Sequence, residues 1–329
     1  MKTESAARLS PALLPPTLLR MSLTFVAQED VRLPAYAGST WRGAFGHALR
    51  QQACVTKAKT CDGCTLLASC PYPYIFETAR PGTAEVMRRY ASVPHPFVLR
   101  LQPQPQPQPP PQDVARGASH ALDIVLIGRA ETHAALVAAA FGQAGQNGVG
   151  SNRGRLRLSN VATERVPLAS PPIDNPAPAS TVTVNSTLNV TLKVTLTTPL
   201  RMLRDGKLVS PEQFAPGDWL FALAKRMSLL GAMHEAAATA PGAVEFPALK
   251  QALSGIRMTD ARLRWHDWTR MSSRQNRAIE MGGIVGSFCL DADAIAPFLA
   301  LLQWGEWGHV GKGTSMGLGG YRLGGKTSL

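Results

Sequence analysis

The sequence predicts an α+β protein built from two tandem βαββαβ units, and three observations carry that prediction. The chain has 329 residues, and at roughly 100–200 residues per domain this gives about two domains, each with room for its own core. The order helix, glycine-rich loop, strand occurs twice, first over Ala134 to Leu158 with Gly142, Gly145, Gly148, Gly150 and Gly154, then over Ile295 to Leu323 with Gly305, Gly308, Gly311, Gly313, Gly317, Gly319 and Gly320. Such self-similarity reads as an internal duplication. Finally, stretches of apolar and polar alternation, which mark strands, are interleaved with apolar stripes at helical spacing.

In the first half the expected elements are a strand over 17–26, a helix over 38–53, a cysteine-bearing insertion, strands over 97–102 and 120–129, a helix over 131–141 and a strand over 153–161. Helix 38–53 separates its faces: Trp41, Ala44, Phe45, Ala48 and Leu49 form one apolar stripe, and Ser39, Arg42, Gly43, Gly46, His47 and Arg50 form the opposite one. In the second half a strand is expected over 181–197, from Val182, Val184, Leu188, Val190, Leu192, Val194 and Leu196, with a bulge or unpaired turn at the step from Val184 to Leu188. A helix over 219–235, a short helix near 247–253, strands over 259–268 and 278–290, a helix over 292–302 and a strand over 318–323 follow. Each half is then βαββαβ, the ferredoxin-like or RRM-like order.

Residues 1–166 are read as the first domain and 181–329 as the second, joined by a linker over 167–180 that holds five prolines. Residues 103–112 alternate Pro and Gln, a polyproline II spacer between two strands to which no chemistry is assigned.

The formal net charge is +12, with 34 Lys and Arg against 22 Asp and Glu, and arginines (25) far outnumber lysines (9). Planar guanidinium forks match phosphate oxygens and stack on bases, so the excess points to a polyanionic partner. The apolar run from Leu9 to Leu19 is broken by Pro11, Pro15 and Pro16, and no stretch approaches the roughly 18 uninterrupted apolar residues of a membrane span. Neither a signal peptide nor a membrane contact is expected, and the compartment is read as the cytoplasm.

Three constellations carry chemistry. The glycine-rich loop over 305–320 is threaded with His309, Lys312 and Thr314. Glycines let backbone N–H groups turn toward an anion at close range, so Gly311, Gly313, Gly317 and Gly319 are candidates for a phosphate nest. The polar face of helix 38–53 sets His47 between Arg42 and Arg50 with two glycines leaving space, an arrangement for holding a phosphate backbone; the alternative is a structural, hydrogen-bonding histidine. A third patch interleaves Arg262, Arg264, Trp265, His266, Trp268, Arg270 and Arg274 at the turn between two strands. Arginine and tryptophan in this mixture suit single-stranded RNA, and a solvated hairpin with buried Trp is the other reading. His95, His120, His133 and His234 have no such company and are read as structural or surface residues.

Cys54, Cys61, Cys64 and Cys70 follow helix 38–53 with spacing C-x6-C-x2-C-x5-C. Four thiolates from one short loop suit a structural tetrahedral zinc, with an iron–sulfur cluster and free thiols as the alternatives; Cys289, in an apolar strand, is read as core.

Tandem ferredoxin-like units with a glycine-rich loop between the last helix and last strand resemble the RAMP superfamily of CRISPR-associated proteins. More narrowly, the segment from Tyr36 to Arg50, the cysteines ending in Cys70-Pro71-Tyr72, and the segment from His309 to Arg322 resemble the precursor-crRNA processing endoribonuclease of that superfamily. The resemblance spans Thr17 to Leu323. It implies a metal-independent RNase that cuts each repeat transcript of a CRISPR array, usually beside a stem-loop, with a histidine or tyrosine near the first helix in the active site. His47 matches that histidine by its place on the helix. Tyr36 precedes the helix, whereas some members carry a tyrosine within it. The partners implied are repeat RNA and a CRISPR effector complex, with no DNA.

On that basis His47 is assigned as general base or acid, His309 as its alternative or partner, and Lys312, Arg42 and Arg50 as phosphate stabilisers. The chemistry expected is attack of a ribose 2′-OH on the adjacent phosphorus to leave a 2′,3′-cyclic phosphate, with no cofactor. The competing class is a non-catalytic RNA-binding subunit of a CRISPR effector complex, which would use the same loops to hold a guide. A zinc-dependent enzyme is disfavoured because four cysteines would saturate the metal.

Overall fold

Strand β1 (Leu18–Ala27) buries Met21, Leu23, Phe25 and Ala27 at alternate positions, the period-two pattern of a strand with one face on a core. That core is the first of two in the computed structural model, which describes residues 16–78, 93–101, 112–167, 190–235, 244–272 and 277–327. After β1 and the short β2 (Val31–Leu33) come α1 (Gly38–Ala53), β3 (Phe97–Leu101), β4 (Gln112–Val114), β5 (Ser119–Ile127), α2 (Ala134–Gln146) and β6 (Leu156–Arg165). The second half runs β7 (Val190–Leu200), β8 (Leu203–Arg204), β9 (Lys207–Leu208), α3 (Pro216–His234), α4 (Phe246–Leu253), β10 (Met258–Ser272), β11 (Arg277–Asp291), α5 (Ala292–Ile295), α6 (Leu299–Gly308) and β12 (Tyr321–Thr327).

The two main sheets have orders β3-β5-β1-β6 and β10-β11-β7-β12, with every neighbour antiparallel. In each unit the first strand lies between the third and fourth, with the second outside the third. This is the tandem ferredoxin-like arrangement that the βαββαβ pattern predicts.

Local chemistry accounts for the differences in boundaries. The expected strand over 153–161 begins only at Leu156, because Gly148, Gly150 and Arg153 take positive φ and a Val149–Gly154 bridge closes a turn ahead of it. The expected helix over 292–302 is interrupted by a 3-10 turn at Ala296–Phe298, where Pro297 has no N–H to continue the ladder. Leu318 to Gly320 remain in the loop and β12 starts at Tyr321. Two small pairings, β2 with β4 and β8 with β9, are too short to leave a periodic signal. The bulge expected at Val184–Leu188, most of the 167–180 linker and residues 103–111 lie outside the described residues. Among the described residues no helix is long and apolar enough to cross a membrane.

The first core is aromatic: Phe45 stacks on Phe141 at 4.5 Å, and Trp41 lies 5.0 Å from Phe25. The second packs Trp219 against Tyr321 (4.9 Å) and Phe288 (5.5 Å). Leu18, Val98, Val125 and Ile127 of the first sheet belong to the second core rather than to their own, so the two units share one apolar seam. Trp304 of α6 donates its indole N–H across that seam to the Pro16 carbonyl, 3.2 Å away.

The glycine-rich loop closes the seam. A Cβ on Gly38, at the start of α1, would overlap the Met316 carbonyl, and one on Gly317 would sit 2.9 Å from the Leu99 carbonyl. Gly319 is the most constrained: its φ is +72, and a Cβ there would overlap the Val310 carbonyl oxygen. Gly319→Ala is therefore expected to destabilise the protein by about 1–3 kcal/mol, whereas Gly255→Ala, whose Cβ would meet nothing within 4 Å, should stay within roughly 0.5 kcal/mol of wild type. Urea denaturation of both variants checks this, and equal midpoints would contradict it.

Candidate functional site

Helix α1 divides its polar residues between two tasks. Three residues apart, His47 and Arg50 share one face. The His47 imidazole is exposed and lines a hollow of about 280 Å³ with Arg50, Gln51, Cys54, Lys57 and Ala58. Arg50 donates to the carbonyls of Ala58 and Lys59, both at 2.6 Å, and lies 5.6 Å over the Tyr72 ring. It thereby holds the loop that brings Lys57 beside the imidazole.

Arg42 and Gly46, four residues apart, lie on another face of the helix. The Arg42 guanidinium donates to Ser315 Oγ (3.1 Å), approaches His95 Nε2 (3.3 Å) and lies 4.3 Å over the Phe76 ring. A Cβ on Gly46 would overlap Phe76, so this glycine admits a phenyl ring rather than an RNA backbone. His95, read as structural or surface from the sequence, sits at the domain junction with Nδ1 at 2.8 Å from Thr78 Oγ1. Burial, with Arg42 and Arg226 nearby, pushes its pKa down to about 4.

The structure separates His309 from His47. His309 is 3% exposed, with a positive φ of 53 and Nδ1 donating to the Leu318 carbonyl at 3.2 Å. Burial, reinforced by the Arg100 charge, pushes it down to about 3, so it is a neutral imidazole inside the loop. The loop's N–H groups are also largely engaged: those of Val310, Lys312, Met316, Gly317, Leu318 and Gly319 donate to backbone carbonyls, and that of Gly320 to Thr198 Oγ1. The positive φ values of Gly311, Gly313, Gly317 and Gly319 are used to fold the loop against Arg201, Leu318, Leu99 and Val310. The phosphate nest expected here is thus a packed interdomain turn, from which Lys312 alone of the expected residues projects an exposed side chain.

On β10, alternation places Arg262, Arg264, His266 and Trp268 on one face and Trp265 on the other. Arg262 and Arg264 are exposed, while Trp265 donates to Asp267 Oδ1 at 2.6 Å and its ring lies where a Cβ on Gly282 would stand. Trp268 is therefore the tryptophan that shares the arginine face. It lies 5.0 Å from Tyr36 of the first domain, and His266 lies 5.7 Å from the same ring. Burial pushes the Tyr36 hydroxyl up to about 12. The side chain of Arg270, and Arg274 altogether, lie outside the described residues.

The four cysteines come together, but not as a metal site. Cys54, Cys61, Cys64 and Cys70 line one hollow of about 210 Å³. The hydroxyl of Thr56 stands between Cys54 Sγ (3.7 Å) and Cys64 Sγ (4.0 Å), and among the described residues no three of His, Cys, Asp and Glu are grouped to hold a metal ion. The structure therefore does not support the expected zinc. Burial and the Glu77 carboxylate hold the Cys61 thiol up at about 11, the neutral form.

With this geometry in view, residues 194–321 match the family model of CRISPR-associated endoribonuclease Cas6, and residues 14–176 match a model described as an N-terminal domain. The second half of the chain is similar to the Cas6 endoribonuclease family, and the whole chain has the double ferredoxin-like fold of Cas6 structures. Its fold is similar to that of a Cas6 product complex (TM-score 0.55, 14% identity, 94% of this chain and 99% of that one). It is also similar to chains described as a partial Cas6-RT-Cas1–Cas2 complex (TM-score 0.54, 12% identity, 94% of this chain and 46% of that one) and the Cas6-RT-Cas1–Cas2 complex (TM-score 0.54, 12% identity, 94% and 29%). The chain thus spans less than half the length of those two. Among curated proteins none matches the sequence.

The buried histidines of this Cas6-type fold set a pH dependence. His95 and His234 are held near 4 and His309 near 3, all below the ordinary 6.5, chiefly by burial. A depressed histidine leaves the unfolded chain binding more protons, so the stability it contributes is full above about 6.5 and is lost as pH falls toward the folded values, at up to about 1.4 kcal/mol per pH unit per group. The unfolding free energy is expected to drop between pH 6.5 and 4, and His309→Gln should shallow that slope. An unchanged slope in the variant would contradict the burial of a neutral His309.

Proposed function

We propose that the chain cuts CRISPR repeat transcripts by metal-independent transesterification, with His47 as the proton-transfer group. The observation that carries this reading is the exposed imidazole of His47 in one hollow with Arg50 and Lys57. Neutral imidazole takes the proton from a ribose 2′-OH, the oxygen attacks the adjacent phosphorus, and the P–O5′ bond breaks. The products are a 2′,3′-cyclic phosphate and a 5′-OH. In this reading the Lys57 ammonium protonates the departing O5′ and neutralises charge on the phosphorane, while Arg50 holds the loop that carries it. Proton transfer and charge compensation both come from side chains, so no step is assigned to a metal ion. Arg262, Arg264 and Lys312, all exposed, hold the flanking backbone as salt-dependent contacts. His309 and Arg42 act by holding the glycine loop on α1. Repeat RNA is the partner in this reading, a CRISPR effector complex is the recipient of the product, and the cytoplasm is the compartment.

The test is incubation of the purified chain with its own repeat RNA in EDTA, followed by analysis of the new ends. A single cut whose 5′ fragment ends in a 2′,3′-cyclic phosphate is expected. Retention of the RNA without a cut would favour the non-catalytic subunit, and a cut that needs added divalent metal would overturn the mechanism.

A further inference from the structure

We propose that the cysteine-bearing insertion is a base pocket, in which the hollow lined by Val55, Leu66 and Leu67 takes one unpaired nucleobase of the RNA next to the cleaved phosphate. The proposal rests on the placement of the reaction at His47. Folding does not explain the apolar exposure of this loop. Val55 is 80% exposed, Leu66 41% and Leu67 37%, and all three line the same hollow. Clustered exposure of this kind marks a binding surface.

The hollow, about 210 Å³, holds on the order of seven water volumes, taking about 30 Å³ for each. That is room for a single base and not for a helical stem. Its inner wall is fixed, since Tyr72 is 7% exposed, with Phe76 stacked on its ring at 5.8 Å and the Arg50 guanidinium 5.6 Å over it. An apolar hollow of this size suits an unstacked base, with little demand on sequence.

Charge and continuity select this occupant over an apolar protein segment. Cys54 lines both this hollow and the His47 hollow, so a base in one places its own phosphate at the other. The His47 hollow on the far side of Cys54 is cationic, with exposed Lys57 beside Arg50. A nucleotide presents an apolar base and an anionic phosphate in that same order.

The thiols supply the test. Repeat RNAs carrying a disulfide-activated, thiol-tethered cytosine at successive single positions are incubated with the full-length protein. Mixed-disulfide formation is expected at one position only, competed by unmodified repeat, and reduced in Cys54→Ser/Cys64→Ser. In parallel, Leu66→Asp/Leu67→Asp, which alters exposed side chains, is expected to weaken repeat binding about tenfold, the loss of one base's apolar contact. The same variant should bind wild-type-like to RNA made abasic at the trapped position. Adducts spread evenly along the RNA, no adduct, or an abasic penalty equal in the variant and wild type would each overturn the pocket. Both readouts report binding alone: a single adduct without cleavage would keep the pocket and sink the catalytic reading, and cleavage without a localised adduct would do the reverse.

Discussion

Two backbones approach too closely for a side chain to stand between them at the start of α1, where Gly38 meets the carbonyl of Met316. The contact ties the first helix of one domain to the glycine-rich loop of the other. Arg42 locks it by spanning Ser315 and Phe76, a cation–π contact worth about 0.5–2 kcal/mol. Once α1 is fixed there, its helical period determines what each residue can do. Arg42 and Gly46 turn into the junction, while His47 and Arg50 turn out toward the cysteine loop. The glycines of the 305–320 loop therefore serve the face that bears His47 indirectly, by setting the angle of its helix.

The same constraint divides the histidines. An imidazole that transfers protons needs access to the RNA and a pKa near the working pH. His309 lacks access, being 3% exposed and packed against Gly320 and Leu318, and burial with the Arg100 charge nearby holds it neutral down to about 3. His47 has access. Arg226 also illustrates the cost of the junction: burial pushes this arginine down to about 10, and its Nε–H is bonded to the Gly308 carbonyl. The junction thus concentrates positive charge that the fold, not a catalytic step, accounts for.

Both βαββαβ units were legible from alternation and from the repeated helix, glycine loop and strand, because these signals are local. Helix α1 spans Gly38–Ala53 as its apolar stripe predicts. The pairing of Tyr36 with Trp268 was not legible, since it joins residues far apart in sequence, although the shared parity of Arg264, His266 and Trp268 would have separated Trp268 from Trp265. Glycine density could not distinguish an open anion nest from a loop packed on neighbouring carbonyls, because both require positive φ. Cysteine spacing brought four thiols to one hollow but does not fix where the sulfur atoms point, and Thr56 stands between two of them.

The central claim, that proton transfer belongs to the exposed helical histidine and not to the loop histidine, is tested most directly by single-turnover cleavage of repeat RNA by His47→Ala and His309→Gln. The account predicts a loss of about 10²–10⁴-fold for His47→Ala with RNA binding retained, and a smaller loss for His309→Gln in protein that remains folded at neutral pH. Wild-type cleavage by His47→Ala, with an inactive but folded and RNA-binding His309→Gln, would contradict it.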